Sequence, residues 1–299
     1  MQPPSIVISA NSLWNILNFR IGLIKTLEAR GIKLVIATPR GALVNASRTM
    51  PGEYRELPMD RSGINPLADG LLMLRFTRLL RTVRPRALLT FTIKPNIYGA
   101  LAARVTGIPC VANVSGLGTA FIRGGLLSRI AGALYRFAFA GSHVVFFQNP
   151  DDRDLFLSRG ILDSSKARLL PGSGIDLERF SPSSPLDSGE PVFLFIGRLL
   201  ADKGVREFVE AAQLAKAQYP QARFQLLGGL DPGNRTAISE KELKQWVADG
   251  DVEYLGPTDD VRPFIANASA VVLPSYREGL PRSLLEGGAM ARPLIATDV

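Results

Sequence analysis

Two short stretches in the last third of the 299-residue sequence combine charge with a sharply turning backbone. The first is Gly197-Arg198-Leu199-Leu200-Ala201-Asp202-Lys203-Gly204, set between an apolar run and an amphipathic one. Glycines permit close backbone approach, and a helix start offers unpaired N–H groups. Arg198 and Lys203 add two cations, so the assembly suits a diphosphate. The same spacing also fits a turn whose Arg and Lys face solvent. The second stretch is Glu278-Gly279-Leu280-Pro281-Arg282-Ser283-Leu284-Leu285-Glu286, with carboxylates eight positions apart across a turn-to-helix boundary. Pro281 suits a first helical turn. Glu286 then falls one to two turns inside the helix, where it can accept from ribose hydroxyls. Glu278, ahead of the helix, is within reach of a sugar. Taken singly, two glutamates at this spacing are a weak signal.

The elements that must position these residues alternate throughout. Strands are predicted at Ile6–Ser9, Lys33–Ala37, Ala87–Phe91, Cys110–Asn113 and His143–Gln148. Helices are predicted at Trp14–Arg30, Gly70–Val83, Asn96–Thr106 and Leu126–Ala140, with a short one from Asp151. Crossovers of this length imply right-handed connections and parallel sheets. After a Gly/Pro/Ser-rich stretch the alternation resumes, with strands at Val192–Ile196, Arg223–Leu227, Val252–Leu255, Ala270–Pro274 and Pro293–Thr297. Helices at Gly204–Gln218, Ser239–Asp249, Val261–Asn267 and Leu280–Ala291 separate them. The fold class is α/β, with two doubly wound Rossmann-like domains facing a cleft. Residues 1–170 form the first domain, 171–188 a linker and 189–299 the second. The sequence stops directly after a strand, where such a domain has a covering helix. The second domain is therefore expected to be incomplete, truncated at its C-terminal end.

Taken together, in this order and separation, the Gly-Arg-Leu…Lys-Gly and Glu-x7-Glu elements resemble glycosyltransferase family 4, which has the GT-B fold. The likeness runs from Trp14 to Val299, and Pro171-Gly172-Ser173-Gly174-Ile175-Asp176…Phe180 is similar to the family's hinge segment. The resemblance implies a retaining transferase using a UDP-sugar. Arg198 and Lys203, beside Gly197, would hold the donor diphosphate. Glu286 would hold the ribose and Glu278 the transferred sugar, with Gly279, Leu280, Pro281 and Ser283 completing that wall. Gly228, Gly229, Leu255 and Gly256 would sit by the base. Glu278, Arg198 and Lys203 would be the catalytic set.

A third feature concerns the acceptor. Thr92-Ile93-Lys94-Pro95-Asn96-Ile97-Tyr98-Gly99 and Asn113-Val114-Ser115-Gly116-Leu117-Gly118-Thr119-Ala120-Phe121 each follow a strand, where ligands of open α/β sheets bind. Both also fit plain tight turns. They resemble the subgroup that extends polyprenyl-diphosphate-linked saccharides, such as N-acetylgalactosaminyltransferases of bacterial glycan assembly, in lipopolysaccharide and capsule synthesis among others. Asn15, Lys94, Asn96, Ser115, Gly116 and Gly118 are the acceptor candidates.

Departure of a nucleoside diphosphate develops negative charge that preorganised cations and N–H groups stabilise. No cofactor is expected, and the resemblance points to no metal. Asp151-Asp152-Arg153-Asp154 reads as a charged helix start. A front-face route, in which the leaving phosphate takes the acceptor proton, needs no protein base. It suits a protein whose one histidine, His143, reads as structural. Double displacement would need a carboxylate nucleophile, for which Glu278 is the candidate. A nucleotide-sugar 2-epimerase of the same architecture and an inactive nucleotide-binding fragment are the alternatives. A dinucleotide dehydrogenase is disfavoured, since Ser9-Ala10-Asn11-Ser12 replaces a Gly-x-Gly-x-x-Gly after the first strand.

Composition narrows the setting. One cysteine, Cys110, excludes an intramolecular disulfide framework and suits a reducing cytoplasm. No basic segment of signal-peptide type precedes Ile6. No uncharged apolar run reaches the roughly 20 residues of a spanning helix. The first 150 residues carry 18 Lys/Arg against 5 Asp/Glu, a net +13, whereas the remainder is at −5. The basic half therefore faces a polyanion. Arg75, Arg78, Arg81 and Arg84 recur every third residue beside leucines, and Leu126, Leu127, Ile130, Leu134 and Phe137 form an apolar face with Arg123, Arg129 and Arg136 nearby. Such surfaces suit the inner face of the plasma membrane, as a peripheral contact, as well as an ordinary helix packed on its own sheet. Nucleic acid is the poorer partner, because no recognised binding motif is present.

Overall fold

Continuous runs of Val, Ile, Leu and Phe, such as Val192–Ile196, are what parallel strands covered on both faces require. The computed structural model describes residues 5–41, 50–60, 65–116, 125–184 and 189–299, with the side chains of 125–127 left aside. It divides into two units, Met1–Gly174 and Ile175–Val299.

The first unit holds strands β1 (Ser5–Ser9), β2 (Lys33–Thr38), β3 (Glu53–Glu56), β4 (Ala87–Phe91), β5 (Cys110–Val114), β6 (Val144–Phe147) and β7 (Ala167–Leu169). They form one parallel sheet in the order β3-β2-β1-β4-β5-β6-β7. Its helices are α1 (Leu13–Phe19), α2 (Ile21–Ala29), α3 (Pro66–Val83), α4 (Ala100–Thr106), α5 (Gly125–Phe139) and α6 (Pro150–Ser158). Tyr135, Phe139, Phe147 and Phe156 pack ring against ring in its core, next to Phe76 of α3. The edge strands β3 and β7 escape the sequence pattern because Glu-Tyr-Arg-Glu and Ala-Arg-Leu carry charge where an apolar run would mark a strand.

Three expectations need correction. The single helix Trp14–Arg30 is broken at Arg20, whose φ of −128° and ψ of 0° leave the helical region. The Arg20 side chain is 5% exposed, with its guanidinium 4.1 Å above the Phe91 ring. The helix Asn96–Thr106 is instead a π-helical turn over Pro95–Gly99 followed by α4. The four-arginine stripe is also divided. Arg78 and Arg81 are exposed on α3, whereas Arg75 donates to the Pro58 carbonyl at 2.8 Å. Arg84 lies past the helix as its left-handed cap.

The second unit has β8 (Val192–Ile196), β9 (Arg223–Leu227), β10 (Glu253–Gly256), β11 (Ala270–Leu273) and β12 (Leu294–Ala296) in a parallel sheet ordered β10-β9-β8-β11-β12. Its helices are α7 (Val205–Lys216), α8 (Glu240–Ala248), α9 (Arg262–Asn267) and α10 (Arg282–Ala289). Phe193, Phe195, Phe208 and Phe224 form its aromatic core. Arg292, 4% exposed, ties Ser183 and Ser184 to this unit. Its guanidinium donates to the carbonyls of Ser183, Ser184, Ile265 and Ala266. Both units are doubly wound α/β sheets, as the alternation predicts.

Candidate functional site

Strand order reverses between β8 and β11, and in open α/β sheets the carboxyl edge at such a reversal is where ligands bind. The loop after β8 carries Gly197 and Arg198 and runs through a 3-10 turn, Ala201–Lys203, into α7. The loop after β11 carries Ser275 to Pro281. The two are stitched together: Ser275 Oγ and the Tyr276 amide both donate to the Asp202 carbonyl at 3.1 Å. The Lys203 ammonium pairs with the Glu278 carboxylate. Two glycines make this approach possible. A Cβ on Gly204, at φ +74°, would lie 1.9 Å from the Pro274 carbonyl oxygen, and one on Gly228, at φ +152°, 1.8 Å from that of Gly197. Gly228 also donates to Gly256 at 2.9 Å, which draws the Leu255-Gly256 end of β10 to the same edge.

The predicted donor residues thus lie on four strand ends of one edge and, for Ser283 and Glu286, in α10, and each predicted cation has a carboxylate partner. Arg198 Nη1 is 2.8 Å from Asp231 Oδ2, with the arginine side chain 61% exposed. In α10, Arg282 Nε is 2.9 Å from Glu286 Oε1. Burial raises the Glu286 carboxyl above its ordinary range, opposed by Arg282 and Arg179. Burial likewise lowers Arg282, opposed by Glu286. Pro281 is the residue capping α10, at ψ 117°, rather than part of its first turn, and Ser283 occupies that turn. Asp231, Arg179 and Arg282 are not among the residues that the motifs single out. The Arg282–Glu286 pair is readable from its i,i+4 spacing. Asp231, 33 positions from Arg198, leaves no such signal.

The first unit has its own reversal, between β1 and β4. Here the Asn11 amide donates to Thr92 Oγ1 at 3.0 Å, and Thr92 holds φ at +72°, a strained value for a β-branched residue. Lys94 Nζ is 2.8 Å from Asp69 Oδ1, with side-chain exposures of 10% and 6%. Burial first, and then Asp69, push the Tyr98 phenol up to about 12. Asn96 Nδ2 donates to the Asn113 carbonyl at 2.8 Å. The side-chain oxygens of Asn15, Asn96 and Asn113 are buried with no hydrogen-bond partner, in contrast to the usual satisfaction of buried polar atoms. Of the predicted acceptor residues, Asn15 opens α1 after β1, Lys94 and Asn96 follow β4, and Ser115 and Gly116 follow β5, half-buried. Gly118 lies outside the described residues. Asp69 escapes the sequence pattern because it sits on α3, 25 positions from Lys94.

Elsewhere the chemistry is quiet. Burial pushes the Cys110 thiol up to about 12, so the thiolate is not populated near neutrality. Asn149 caps α6, and Asp151 and Asp152 lie in its first turn. Among the described residues, no group of three His, Cys, Asp or Glu is placed to hold a metal ion.

Residues 22–172 match the family model of the glycosyl transferase 4-like domain, and residues 190–299 that of glycosyl transferases group 1. The N,N'-diacetylbacillosaminyl-diphospho-undecaprenol alpha-1,3-N-acetylgalactosaminyltransferase of Campylobacter jejuni is 28% identical over 95% of this chain and 78% of its own length. The UDP-Gal:alpha-D-GlcNAc-diphosphoundecaprenol alpha-1,3-galactosyltransferase of Escherichia coli is 24% identical over 79% of this chain and 64% of its own. Among solved structures, HepE of Anabaena in complex with UDP and glucose superposes with a TM-score of 0.74 at 17% identity, over 98% of this chain and 80% of that one. Two doubly wound sheets, a domain model on each, and relatives that transfer sugars agree: the chain belongs to the GT-B glycosyltransferases that join a glycosyl transferase 4-like domain to a group 1 domain, and it is a hexosyltransferase.

Proposed function

We propose that the enzyme moves a hexose or N-acetylhexosamine from a UDP-sugar, with retention and without a metal ion, onto a saccharide carried by a polyprenyl diphosphate in bacterial surface-glycan assembly. The observation that carries the donor half is the set of ion pairs at the β8/β11 edge. Arg198 and Lys203 are partnered by carboxylates, Asp231 and Glu278. A diphosphate presents the same charge to the same cations and exchanges with those carboxylates at little cost. Glu286 accepts from the ribose hydroxyls, and Glu278, released from Lys203, contacts the transferred sugar. As the bond from the anomeric carbon to the diphosphate oxygen breaks, Arg198 and Lys203 meet the developing charge. The acceptor oxygen bonds on the same face, and its proton passes to the departing phosphate.

The acceptor half rests on the β1/β4 edge, where Lys94, Asn96, Asn15, Ser115 and Gly116 gather, and on the two relatives whose substrates are sugars on diphosphoundecaprenol. The lipid places the reaction at the inner face of the plasma membrane. From residue 61 to 150 the one acidic residue is Asp69, and it is buried against Lys94. Leu67, Leu74 and Phe137 are 86%, 65% and 64% exposed, on the same two helices as the exposed Arg78, Arg81 and Arg136. That combination suits an anionic lipid surface. No helix among the described residues is long and apolar enough to cross a membrane.

Calorimetry with UDP, without added metal, tests the donor half. Wild type is expected to bind, and Arg198→Ala and Glu286→Ala to bind more weakly by about 1–3 kcal/mol, the range of a lost charged hydrogen bond. A folded wild type that ignores UDP refutes the donor.

A further inference from the structure

We propose that a cavity of about 450 Å³ beside Lys94 is the subsite for the acceptor's neutral sugar ring, distinct from the place of its diphosphate. The inference rests on the reading of the acceptor as a lipid-linked saccharide. The cavity opens where β2 and β3 end, against the first turns of α3, and Lys94 joins it to the β1/β4 edge. Its volume is within the range of about 300–1,000 Å³ usual for small-molecule sites.

The lining selects the ligand class. Three cations, Arg40, Arg75 and Lys94, face three carboxylates, Glu56, Asp60 and Asp69. Asp69 already neutralises Lys94, and Arg75 is directed to the Pro58 carbonyl. A diphosphate would meet Glu56 and Asp60 without a surplus of positive charge. A sugar hydroxyl both donates and accepts, so it uses carboxylates and guanidinium groups together. Met59, Leu71 and Leu72 supply apolar surface for the C–H face of a pyranose.

Two probes separate the parts of the acceptor: farnesyl diphosphate, and farnesyl diphosphate carrying N-acetylglucosamine. Calorimetry on wild type is expected to show the sugar-bearing probe bound about tenfold more tightly, the loss expected when hydrogen bonds to a polar ligand are removed. Ala68→Trp, in the first turn of α3 and on the cavity wall, fills the space and should bring the two probes to equal affinity, with UDP binding and the thermal midpoint unchanged. Asp60→Asn, at an exposed position of the lining, should weaken the sugar-bearing probe alone, by about threefold, with the thermal midpoint unchanged. Equal binding of both probes to wild type, or a preference that survives Ala68→Trp in a folded protein and Asp60→Asn as well, overturns the cavity proposal and leaves the lipid-linked acceptor standing. Failure of both probes to bind wild type overturns the acceptor reading and the cavity proposal with it.

Discussion

The edge that carries Thr92, Lys94 and Asn96 and the edge that carries Arg198, Lys203 and Glu278 hold equivalent places in their sheets, at a reversal of strand order, yet they hold charge in opposite ways. The side chains of Lys94 and Asp69 are buried together, and the buried side-chain oxygens of Asn15, Asn96 and Asn113 lack partners. Arg198 is 61% exposed and Lys203 27%, each against a carboxylate supplied by a different strand end. Two charges drawn out of water have no cheap alternative to each other. Charges that keep part of their hydration exchange partners more readily, Arg198 at 61% exposure more so than Lys203 at 27%. The first edge is thus a fixed scaffold whose ion pair sets shape. The second keeps its cations poised for an incoming anion. At the two edges themselves, Thr92 holds a left-handed conformation on the first, whereas Gly204 and Gly228 take the tightest approaches on the second.

The largest effect that would break this contrast lies in the glycines. Gly228→Ala places a methyl group 1.8 Å from the Gly197 carbonyl oxygen, a collision with backbone on the strand-end loop that also carries Arg198. The expected cost is above about 4 kcal/mol, in the range that few substitutions reach. Circular dichroism and UDP calorimetry should show the second unit's melting transition lost or strongly lowered, together with nucleotide binding. A variant that melts like wild type would mean that the loops after β8 and β9 part freely.

The two ion pairs give the sharper comparison. Asp69→Asn leaves Lys94 buried beside a neutral partner and should cost about 3–5 kcal/mol in urea unfolding. Glu278→Gln leaves Lys203 partly solvated and should stay within about 1 kcal/mol of wild type. It should also bind UDP more tightly, since the diphosphate no longer displaces a carboxylate, while transfer of the sugar falls. Equal stability losses in the two variants would erase the distinction between scaffold and poised site.

Much of this is legible in the sequence. Strands with unbroken apolar runs, the helices between them, the two charged turns and the Glu-x7-Glu spacing all report locally. The misses share a physical cause. Asp69 and Asp231 matter through partners 25 and 33 positions away, and a pair brought together by tertiary packing leaves no periodicity to find. The break at Arg20 and the π-helical turn at Pro95–Gly99 likewise answer to packing. Arg20 stacks on Phe91 of β4, and the good helix propensity of arginine gives no sign of the break there. Charged edge strands such as Glu53–Glu56 are hidden because their sheet is completed by hydrogen bonds, which any residue supplies.

The smallest expected effect concerns Arg282 and Glu286, which lie between the two extremes at 20% and 11% side-chain exposure. Burial holds the folded Glu286 carboxyl above its ordinary range even with Arg282 beside it. Between the unfolded value of about 4.3 and the folded value, the folded protein therefore keeps a proton that the unfolded one has released. The stability contributed by this group is complete below the unfolded value and is lost as pH rises through the folded one. Arg282→Met combined with Glu286→Gln removes both charges while keeping their volume, so no unpaired ion is left behind. Relative to that double variant, wild type should be at its best near pH 4 and should lose about 1 kcal/mol or less by pH 7. Thermal melts of the two proteins across this range measure the difference directly. A gap that moves in wild type's favour as pH rises would mean that the pair with Arg282 outweighs burial. Glu286 would then belong with Lys94 and Asp69 as scaffold, rather than with the residues held ready for a nucleotide.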